Sequence, residues 1–316
     1  MSFSGNVKEE LSNQISSARH CCIAELAAII SMCGSIIVDI RSQYKIKIHS
    51  ENQAVARKCF TLIGKTFNII PDVSVRRNKD TNSVFYTVAV KEHEDALRIL
   101  QATKLVGEEN EGFEEIEIVS PMVVQQTCCK RAFLRGAFIA TGSISDPKKS
   151  YHFEIVCSSS KMANQIMELM GGFSIEAKSV IRKRSHVVYI KEGSYIVDML
   201  NVMEAHVALM ELENVRILKD MRNTVNRKVN CETANINKTV SAAVKQIEDI
   251  EYIKSEKGLD ALQEELEEVA LARLSHPSAS LKELGEILDL GKSGVNHRLR
   301  KIGEIADKIR KEKGGY

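Results

Sequence analysis

The most constraining feature of this chain is a nine-residue run that occurs twice. The first copy covers residues 26–34 and the second covers residues 134–142, and each is followed by Ser-Ile. Both copies are apolar, carry small residues at close spacing and end in glycine. This pattern predicts a tightly packed core helix with glycine at its C-cap.

The similarity between the copies continues for about eighty residues, as expected of an internal repeat. An alternating strand pattern at 44–48 has its counterpart at 151–155. Each is followed by a helix, a second strand, a basic turn and a third strand (84–90 and 186–190), and a closing helix (near 95–100 and 196–203). The offset between copies drifts from 108 to 106, as two small indels would produce. The order of these elements predicts a duplicated α+β domain.

Both nine-residue runs resemble the LAGLIDADG motif of homing endonucleases, position for position. In that family two such helices pack side by side, and the acid before the final glycine holds a divalent metal. Cys33 and Thr141 occupy those positions here. Because a hard cation prefers carboxylate oxygen, the resemblance implies an endonuclease scaffold without its metal site. We therefore expect no metal, no cofactor and no catalytic activity.

A working metal-dependent endonuclease with displaced ligands is the alternative. Its candidate carboxylates are Glu25, Asp39 and Asp146, which lie near the motif helices in sequence. Two-metal phosphodiester chemistry requires carboxylates that converge on ions about 4 Å apart. None of the three stands at the helix end in both copies, so this alternative is the less favoured one.

Composition narrows the class of protein. The 316 residues suffice for two or three domains, and no apolar run has the length of a membrane span or of a signal-peptide core. The eight cysteines include the adjacent pairs Cys21-Cys22 and Cys128-Cys129 but no spacing typical of zinc ligands. We expect a cytoplasmic protein with reduced thiols and no membrane partner.

Positive charge is concentrated at one end of the chain. From Arg273 onward there are ten Lys and Arg residues against six Asp and Glu residues, whereas the residues before Arg216 carry 25 of each. A domain that grips DNA is expected to be clearly basic. The C-terminal piece is therefore the better candidate for a DNA-binding domain.

This C-terminal piece has the pattern of a helix-turn-helix. Ser280 begins a short helix with Glu283 three positions on, which is a capping-box pattern. A turn at 289–291 contains glycine and precedes a second helix that starts near Ser293. The residues expected in the core are Leu281, Leu284 and Leu288 on the first helix and Val295, Leu299 and Ile302 on the second.

The opposite face of the second helix carries the candidate DNA-binding residues. Asn and Arg can pair with base edges, and Lys and Arg also contact phosphates. The candidates for base edges are Asn296, His297 and Arg300; those for the helix start and the phosphates are Lys292, Ser293, Arg298 and Lys301. A basic, solvated helix of an ordinary bundle, or a scaffold that binds a protein partner, would give a similar pattern.

The two basic turns of the repeat are candidates for a secondary contact with flanking DNA. They contain Arg76, Arg77 and Lys79 in the first copy and Arg182, Lys183 and Arg184 in the second. Solvated turns often carry charge, so this assignment is weaker than that of the C-terminal helix.

Between the repeat and the C-terminal piece lies an asparagine-rich stretch. Asn223, Asn226 and Asn230 recur at helical spacing and would form one polar stripe. We favour an interdomain hydrogen-bonded seam for this stripe over a contact with nucleic acid. The sequence thus divides into residues 1–105 and 106–220 (the two repeats), 221–257 (a helical connector) and 258–316 (the helix-turn-helix domain).

The whole chain resembles the WhiA family of bacterial regulators. The resemblance rests on the opening Ser2-Phe3-Ser4, the degenerate LAGLIDADG pair, the string Asn-x-x-Asn-Arg-x-x-Asn-Cys-Glu-x-x-Asn from Asn223 to Asn235, and the C-terminal helix-turn-helix. It implies a sequence-specific regulator that binds double-stranded DNA at the nucleoid, without nuclease activity. The implied role is in cell division or chromosome segregation, and in sporulation in some relatives. A transcription or division protein is a further candidate partner; the sequence leaves the oligomeric state open.

Overall fold

The computed structural model describes residues 2–40, 42–78, 83–106 and 118–313. Helices and antiparallel sheets alternate through the first two thirds of the chain, and the remainder is helical, as the predicted α+β class requires. The chain divides into two compact units, Met1–Lys219 and Asp220–Tyr316. Among the described residues, no helix combines the length and the apolar character that crossing a membrane would require.

The first unit opens with α1 (Phe3–Asn13), whose N-terminus is capped by the Ser2 hydroxyl. The same order of helices and strands then occurs twice. The first copy comprises α2 (Arg19–Cys33), β1 (Gly34–Val38), β2 (Tyr44–Ser50), α3 (Gln53–Phe67), β3 (Asp72–Arg77), β4 (Val84–Val90) and α4 (His93–Thr103). The second comprises α5 (Thr127–Thr141), β5 (Gly142–Ile144), β6 (Phe153–Cys157), α6 (Ser160–Gly171), β7 (Lys178–Arg182), β8 (Ser185–Ile190) and α7 (Gly193–Met203).

The two sheets have the same topology. Their strand orders are β1-β2-β4-β3 and β5-β6-β8-β7, and the paired strands are antiparallel. Alternate residues of each central strand, such as Ile46 and Ile48 of β2 and Phe153 and Ile155 of β6, are buried against the helices. Each sheet therefore covers the core with one face. The predicted duplication is confirmed.

The motif helices α2 and α5 pack against each other at the centre of this unit. Gly136 makes the close approach possible, because a Cβ there would lie 2.5 Å from the Glu25 carbonyl oxygen and 3.0 Å from Ala28 Cβ. Gly34 and Gly142 do follow the helices, as predicted, but their backbones are extended and not left-handed. They are glycines because a Cβ at either would collide with the preceding turn, at Ile30 and Phe138.

The second unit contains the rest of a long helix, α8 (His206–Lys257), within which the division between the units falls. The connector expected at 221–257 is thus the continuation of a helix that begins earlier. Gly258, at φ +79°, ends it. A 3-10 turn (Leu259–Ala261) and α9 (Glu264–Ser275) follow it, and α10 (Leu281–Ile287) and α11 (Lys292–Lys313) complete the unit.

Candidate nucleic-acid interface

The interface candidate is built on α10, the turn and α11. The predicted capping box is present: the Glu283 amide donates to Ser280 Oγ at 3.3 Å, and the Ser280 amide donates to the Glu283 carboxylate at 2.7 Å. The bond from the Ser280 backbone lowers the pKa of the Glu283 carboxyl. The cap therefore fixes where the first helix of the motif begins.

The turn between α10 and α11 is tight. Asp289 takes the left-handed conformation at φ +49°, and the Leu290 amide donates to the Gly285 carbonyl at 2.8 Å. A Cβ at Gly285 would lie 2.4 Å from the Leu290 carbonyl oxygen. The glycine that the turn requires is therefore Gly285 of the helix, whereas the unusual backbone angle belongs to Asp289 and not to Gly291.

Packing sets the rotation of α11 about its axis. Val295, Leu299 and Ile302 are buried, as predicted, in a core with α9, α10 and the end of α8. Leu284 of α10 is fully buried with them. The side chains that this arrangement leaves exposed are Lys292, Ser293, Asn296, His297, Arg300 and Lys301.

The predicted DNA-binding residues differ in how exposed their side chains are and in the ion pairs that they make. The Arg298 side chain is 22% exposed, and its guanidinium pairs with Glu265 of α9 at 3.1 Å. Arg300 pairs with Glu304, one turn along α11, at 3.3 Å, but it is 75% exposed. Arg298 is therefore held in the domain, whereas Arg300 needs only to exchange an exposed partner.

Asn296 and Arg300 line a groove of about 280 Å³ within the second unit. Its other wall is the end of α8, including Lys245, Gln246 and Asp249. Rotation by 100° per residue places His297 and Ser293 farther from the buried stripe than Asn296. The outermost part of the exposed face of α11 is thus formed by Ser293, His297, Arg300 and Lys301, with Asn296 at its edge.

The sequence predicts that the basic residues of the secondary contact lie in two turns, but in the structure some of them lie at the ends of strands. Arg76 and Arg77 are the last residues of β3, so their side chains leave opposite faces of that strand. Arg182 ends β7 and pairs with Glu154 at 3.3 Å, and the exposed Lys183 and Arg184 form the turn. The predicted residue Lys79 lies outside the described residues.

Cys33 and Thr141 stand at the helix ends that would hold metal in an endonuclease, and each hydrogen-bonds to a carbonyl of its own helix. The Cys33 thiol donates to the Ile29 carbonyl at 3.3 Å, and the Thr141 hydroxyl donates to the Ala137 carbonyl at 3.5 Å. The Lys8 ammonium interacts electrostatically with Cys33 and lies 5.9 Å from the centre of the Phe138 ring. Burial lowers the pKa of Lys8 to about 8 and raises that of Cys33 to about 12. This environment places a cationic group beside Cys33, at the end of one motif helix.

The three carboxylates of the alternative endonuclease do not converge. Glu25 is fully buried between Lys58, at 2.9 Å, and Arg135, at 2.9 Å. Asp39 pairs with Lys45 at 3.4 Å, and Asp146 accepts from the Lys148 amide at 2.9 Å. Each therefore has a structural role in its own neighbourhood, and the geometry does not favour displaced metal ligands.

The buried ion cluster around Glu25 was missed by sequence reasoning. Arg135 also pairs with Glu204 at 2.6 Å, and Lys58 donates to the Leu11 carbonyl at 3.1 Å and to the Gln14 carbonyl. Burial lowers the pKa of Lys58, and the negative charge of Glu25 acts against this lowering. Charged residues inside two apolar helices were the available signal, since such groups are rarely buried unless they are paired.

The asparagine stripe is on the surface of α8. Asn223, Asn226 and Asn230 are exposed on this helix. Exposed valines lie on another side of the same stretch, at 225 and 229. The stretch is thus an amphipathic surface helix.

One further set of side chains was not expected. His20, Cys21, Cys128 and Cys129 place their nitrogen and sulfur atoms within 4.8 Å of one another. Sequence reasoning did not find this set, because the two pairs of residues are more than a hundred positions apart.

Comparisons with known proteins agree with this architecture. Three family models match: "WhiA N-terminal LAGLIDADG-like domain" at residues 19–106, "WhiA LAGLIDADG-like domain" at 130–222 and "WhiA C-terminal HTH domain" at 225–306. The "probable cell division protein WhiA" of Lachnoclostridium phytofermentans is 53% identical over 98% of this chain and 100% of its own length. That of Alkaliphilus oremlandii is 50% identical over 99% of both chains.

A solved structure also matches nearly the whole chain. The full-length DUF199/WhiA from Thermatoga maritima is 27% identical, with a TM-score of 0.59 over 98% of this chain and 99% of its own. The match thus extends over both units and over the whole length of these relatives. On these grounds the chain belongs to the WhiA family.

Proposed function

We propose that this protein is a sequence-specific regulator of transcription that binds double-stranded DNA. The observation that carries the proposal is the face of α11, where six polar or basic side chains are exposed on a helix whose other face is firmly packed. A recognition helix needs that combination, since the fixed packing orients the side chains that enter the major groove. The names of the relatives support a role in cell division.

Within this proposal the residues have separate tasks. Ser293, Asn296, His297 and Arg300 contact base edges, and Lys292 and Lys301 contact phosphates. Arg298, which pairs with Glu265, holds α11 against α9 and contributes to the phosphate contact only if that pair opens. Residues 258–316 then read the sequence, and residues 221–257 connect them to the repeats.

The repeats of residues 1–105 and 106–220 are proposed to position the protein and not to cut DNA. Cys33 and Thr141 bond to their own helices, and Lys8 supplies positive charge beside Cys33. Arg76, Arg182, Lys183 and Arg184 are exposed at the ends of the outer strands and could add contacts to flanking DNA. A second contact of this kind, or pairing of two chains, would compensate for the few base contacts that one module offers.

The proposed place of action is the cytoplasmic nucleoid, with effects on chromosome segregation and, in some relatives, on sporulation. The proposal rests on DNA binding, because each of these roles requires that the protein finds its sites on the chromosome.

Selection of bound fragments from random duplex DNA by the full chain tests the proposal. We expect one sequence to be enriched, and a chain with Ser293→Ala, His297→Ala and Arg300→Ala to lose that enrichment while it stays folded. Lys308→Ala is the matched control, since Lys308 is an exposed residue of α11 about 10 Å beyond Lys301. No enrichment by the full chain, or equal enrichment by the triple variant, would contradict the proposal.

A further inference from the structure

Four potential metal ligands meet where the two repeats begin. His20 and Cys21 lie in the first turn of α2, and Cys128 and Cys129 lie in the first turn of α5. His20 Nδ1 is 3.2 Å from Cys129 Sγ and 3.4 Å from Cys21 Sγ, and the four ligand atoms are all within 4.8 Å of one another. Cys21 and Cys129 are buried, and His20 and Cys128 are exposed. Two ligands thus anchor the set in the core, and two can move to complete it.

These distances fit a tetrahedral ion. With Zn–S bonds of about 2.3 Å and Zn–N bonds of about 2.0 Å, the ligand atoms of a tetrahedral site lie about 3.5–3.8 Å apart. The distances between ligand atoms in the cluster run from 3.2 Å to at most 4.8 Å, which includes that range. Small rotations of the exposed side chains would therefore accommodate an ion. Three thiolates and one imidazole form a common structural zinc set, and their softness disfavours magnesium or calcium.

We propose that His20, Cys21, Cys128 and Cys129 bind one Zn²⁺ ion that fastens the two repeats together. One feature of the surroundings favours the thiolate ligands. The N-terminal ends of α2 and α5, which carry the positive ends of the helix dipoles, both lie at the cluster. A zinc ion with three thiolates has a net negative charge, which these helix ends stabilise. The adjoining cavity of about 320 Å³ is lined by Arg131, Arg135 and Glu204, whose charges pair with one another.

The proposed site is not the metal position of an endonuclease. That position is at the C-terminal ends of α2 and α5, at Cys33 and Thr141, whereas this cluster is at their N-terminal ends. Cys21 and Cys33 are twelve positions apart on this helix, a distance of about 18 Å. The zinc is thus structural in this proposal: it has four protein ligands and no position for a substrate.

The duplication accounts for the arrangement. At the offset of 108 residues, His20 corresponds to Cys128 and Cys21 to Cys129. Because α2 and α5 pack side by side as equivalent helices, equivalent first turns are brought together. Neither pair could hold an ion by itself, and the site exists only when the two repeats are folded against each other.

The test uses the full chain, reduced and freed of metal by a chelator. We expect it to bind Zn²⁺ in equimolar amount against a chromophoric competitor. Co²⁺ should give the visible bands and the thiolate charge-transfer absorption of a tetrahedral sulfur site. Cys128→Ser and His20→Asn should each weaken Zn²⁺ binding by about 100-fold or more, since loss of an outer-shell partner already costs 10–100-fold. The midpoint of thermal unfolding should rise with Zn²⁺ in the natural chain.

Cys231→Ser is the matched control, because Cys231 is an exposed thiol on α8 outside the cluster. Cys128→Ser and His20→Asn change exposed residues, so their folding can be verified by circular dichroism before titration. Three results would overturn the proposal: no Zn²⁺ uptake by the natural chain, uptake that Cys128→Ser leaves unchanged, or octahedral Co²⁺ spectra. A chain that takes up no metal and forms a disulfide between Cys21 and Cys128 would overturn it equally.

Discussion

The guanidinium of Arg135 donates to both carboxylate oxygens of Glu25, through Nε at 2.9 Å and Nη2 at 3.2 Å. The two residues belong to the motif helices of different repeats, and both are almost completely buried. A two-pronged bond of this kind fixes the relative position of two helices more closely than apolar contacts do. The interface between the repeats therefore has a specific ionic contact at its centre.

The first prediction concerns this contact. Glu25→Gln should lower the free energy of unfolding by about 3–5 kcal/mol, because it leaves Lys58 and Arg135 as buried cations without their shared anion. Denaturant unfolding measures the change. Asp95→Asn, which breaks an exposed pair with Arg98, is the control and should change the unfolding free energy by less than about 1 kcal/mol. Equal effects of the two substitutions would show that the buried cluster is not important for stability.

The second prediction concerns Lys8, whose pKa in the folded chain, about 8, is below its ordinary value of 10.5. Between these pH values the unfolded chain binds more protons, so this group makes folding more favourable as pH rises. At pH 7 the buried ammonium is a cost, and Lys8→Met should stabilise the fold on the order of 1–3 kcal/mol.

The advantage of Lys8→Met should shrink as pH is raised toward 10. Unfolding free energies of the natural chain and the variant, compared at several pH values, provide the measurement, since the titration of other groups cancels in the difference. Lys148→Met, at an exposed lysine, is the control and should change the unfolding free energy at pH 7 by less than about 0.5 kcal/mol. A Lys8→Met variant that is less stable at pH 7 would mean that the ammonium has a favourable role there.

The third prediction concerns the recognition helix. Arg300→Ala should weaken binding to the preferred sequence by about 1–3 kcal/mol and relax the preference at one base pair. Lys301→Ala should instead weaken binding to all sequences alike and reduce the salt dependence by about one charge. Binding isotherms at several salt concentrations separate the two effects. If both substitutions act only on non-specific affinity, α11 is not the element that reads bases.

The fourth prediction concerns the outer strands. Charge reversal at Arg76, Arg182, Lys183 and Arg184 should weaken binding to long duplexes more than to duplexes that only cover the recognised site. The reason is that these exposed residues lie on the repeats and not on the helix-turn-helix domain. Reversal of Lys148 and Lys149, exposed near β5, is the control. An equal loss on both lengths of DNA would argue against a flanking contact.

The fifth prediction is that the protein does not cut DNA with magnesium or manganese. The helix ends present a thiol and a hydroxyl in place of carboxylates, and Lys8 adds positive charge. Incubation with plasmid and with the selected duplex, followed by electrophoresis, should show intact DNA. Cleavage of a specific duplex that a chelator abolishes would disprove this. Cys33→Asp with Thr141→Asp need not restore activity while Lys8 remains.

Elements whose signal is local or repeated could be predicted from the amino-acid sequence alone. The two nine-residue runs, the matched strands, the capping box of Ser280 and Glu283 and the buried stripe of Val295, Leu299 and Ile302 all follow from periodicity and short-range hydrogen bonding. The resemblance of these segments to the WhiA family rested on the same local patterns. Such features depend on residues a few positions apart, so one sequence is enough to predict them.

Which distant side chains meet became clear only from the folded chain. The pairing of Glu25 with Arg135 and the approach of His20 and Cys21 to Cys128 and Cys129 join residues about 110 positions apart. The folded chain also shows that Arg76 and Arg77 end a strand, and that Arg298 is held by Glu265. These contacts depend on how α2 packs on α5, how a sheet sets its strand ends and how α11 packs on α9. Periodicity along one chain carries no information about those distances.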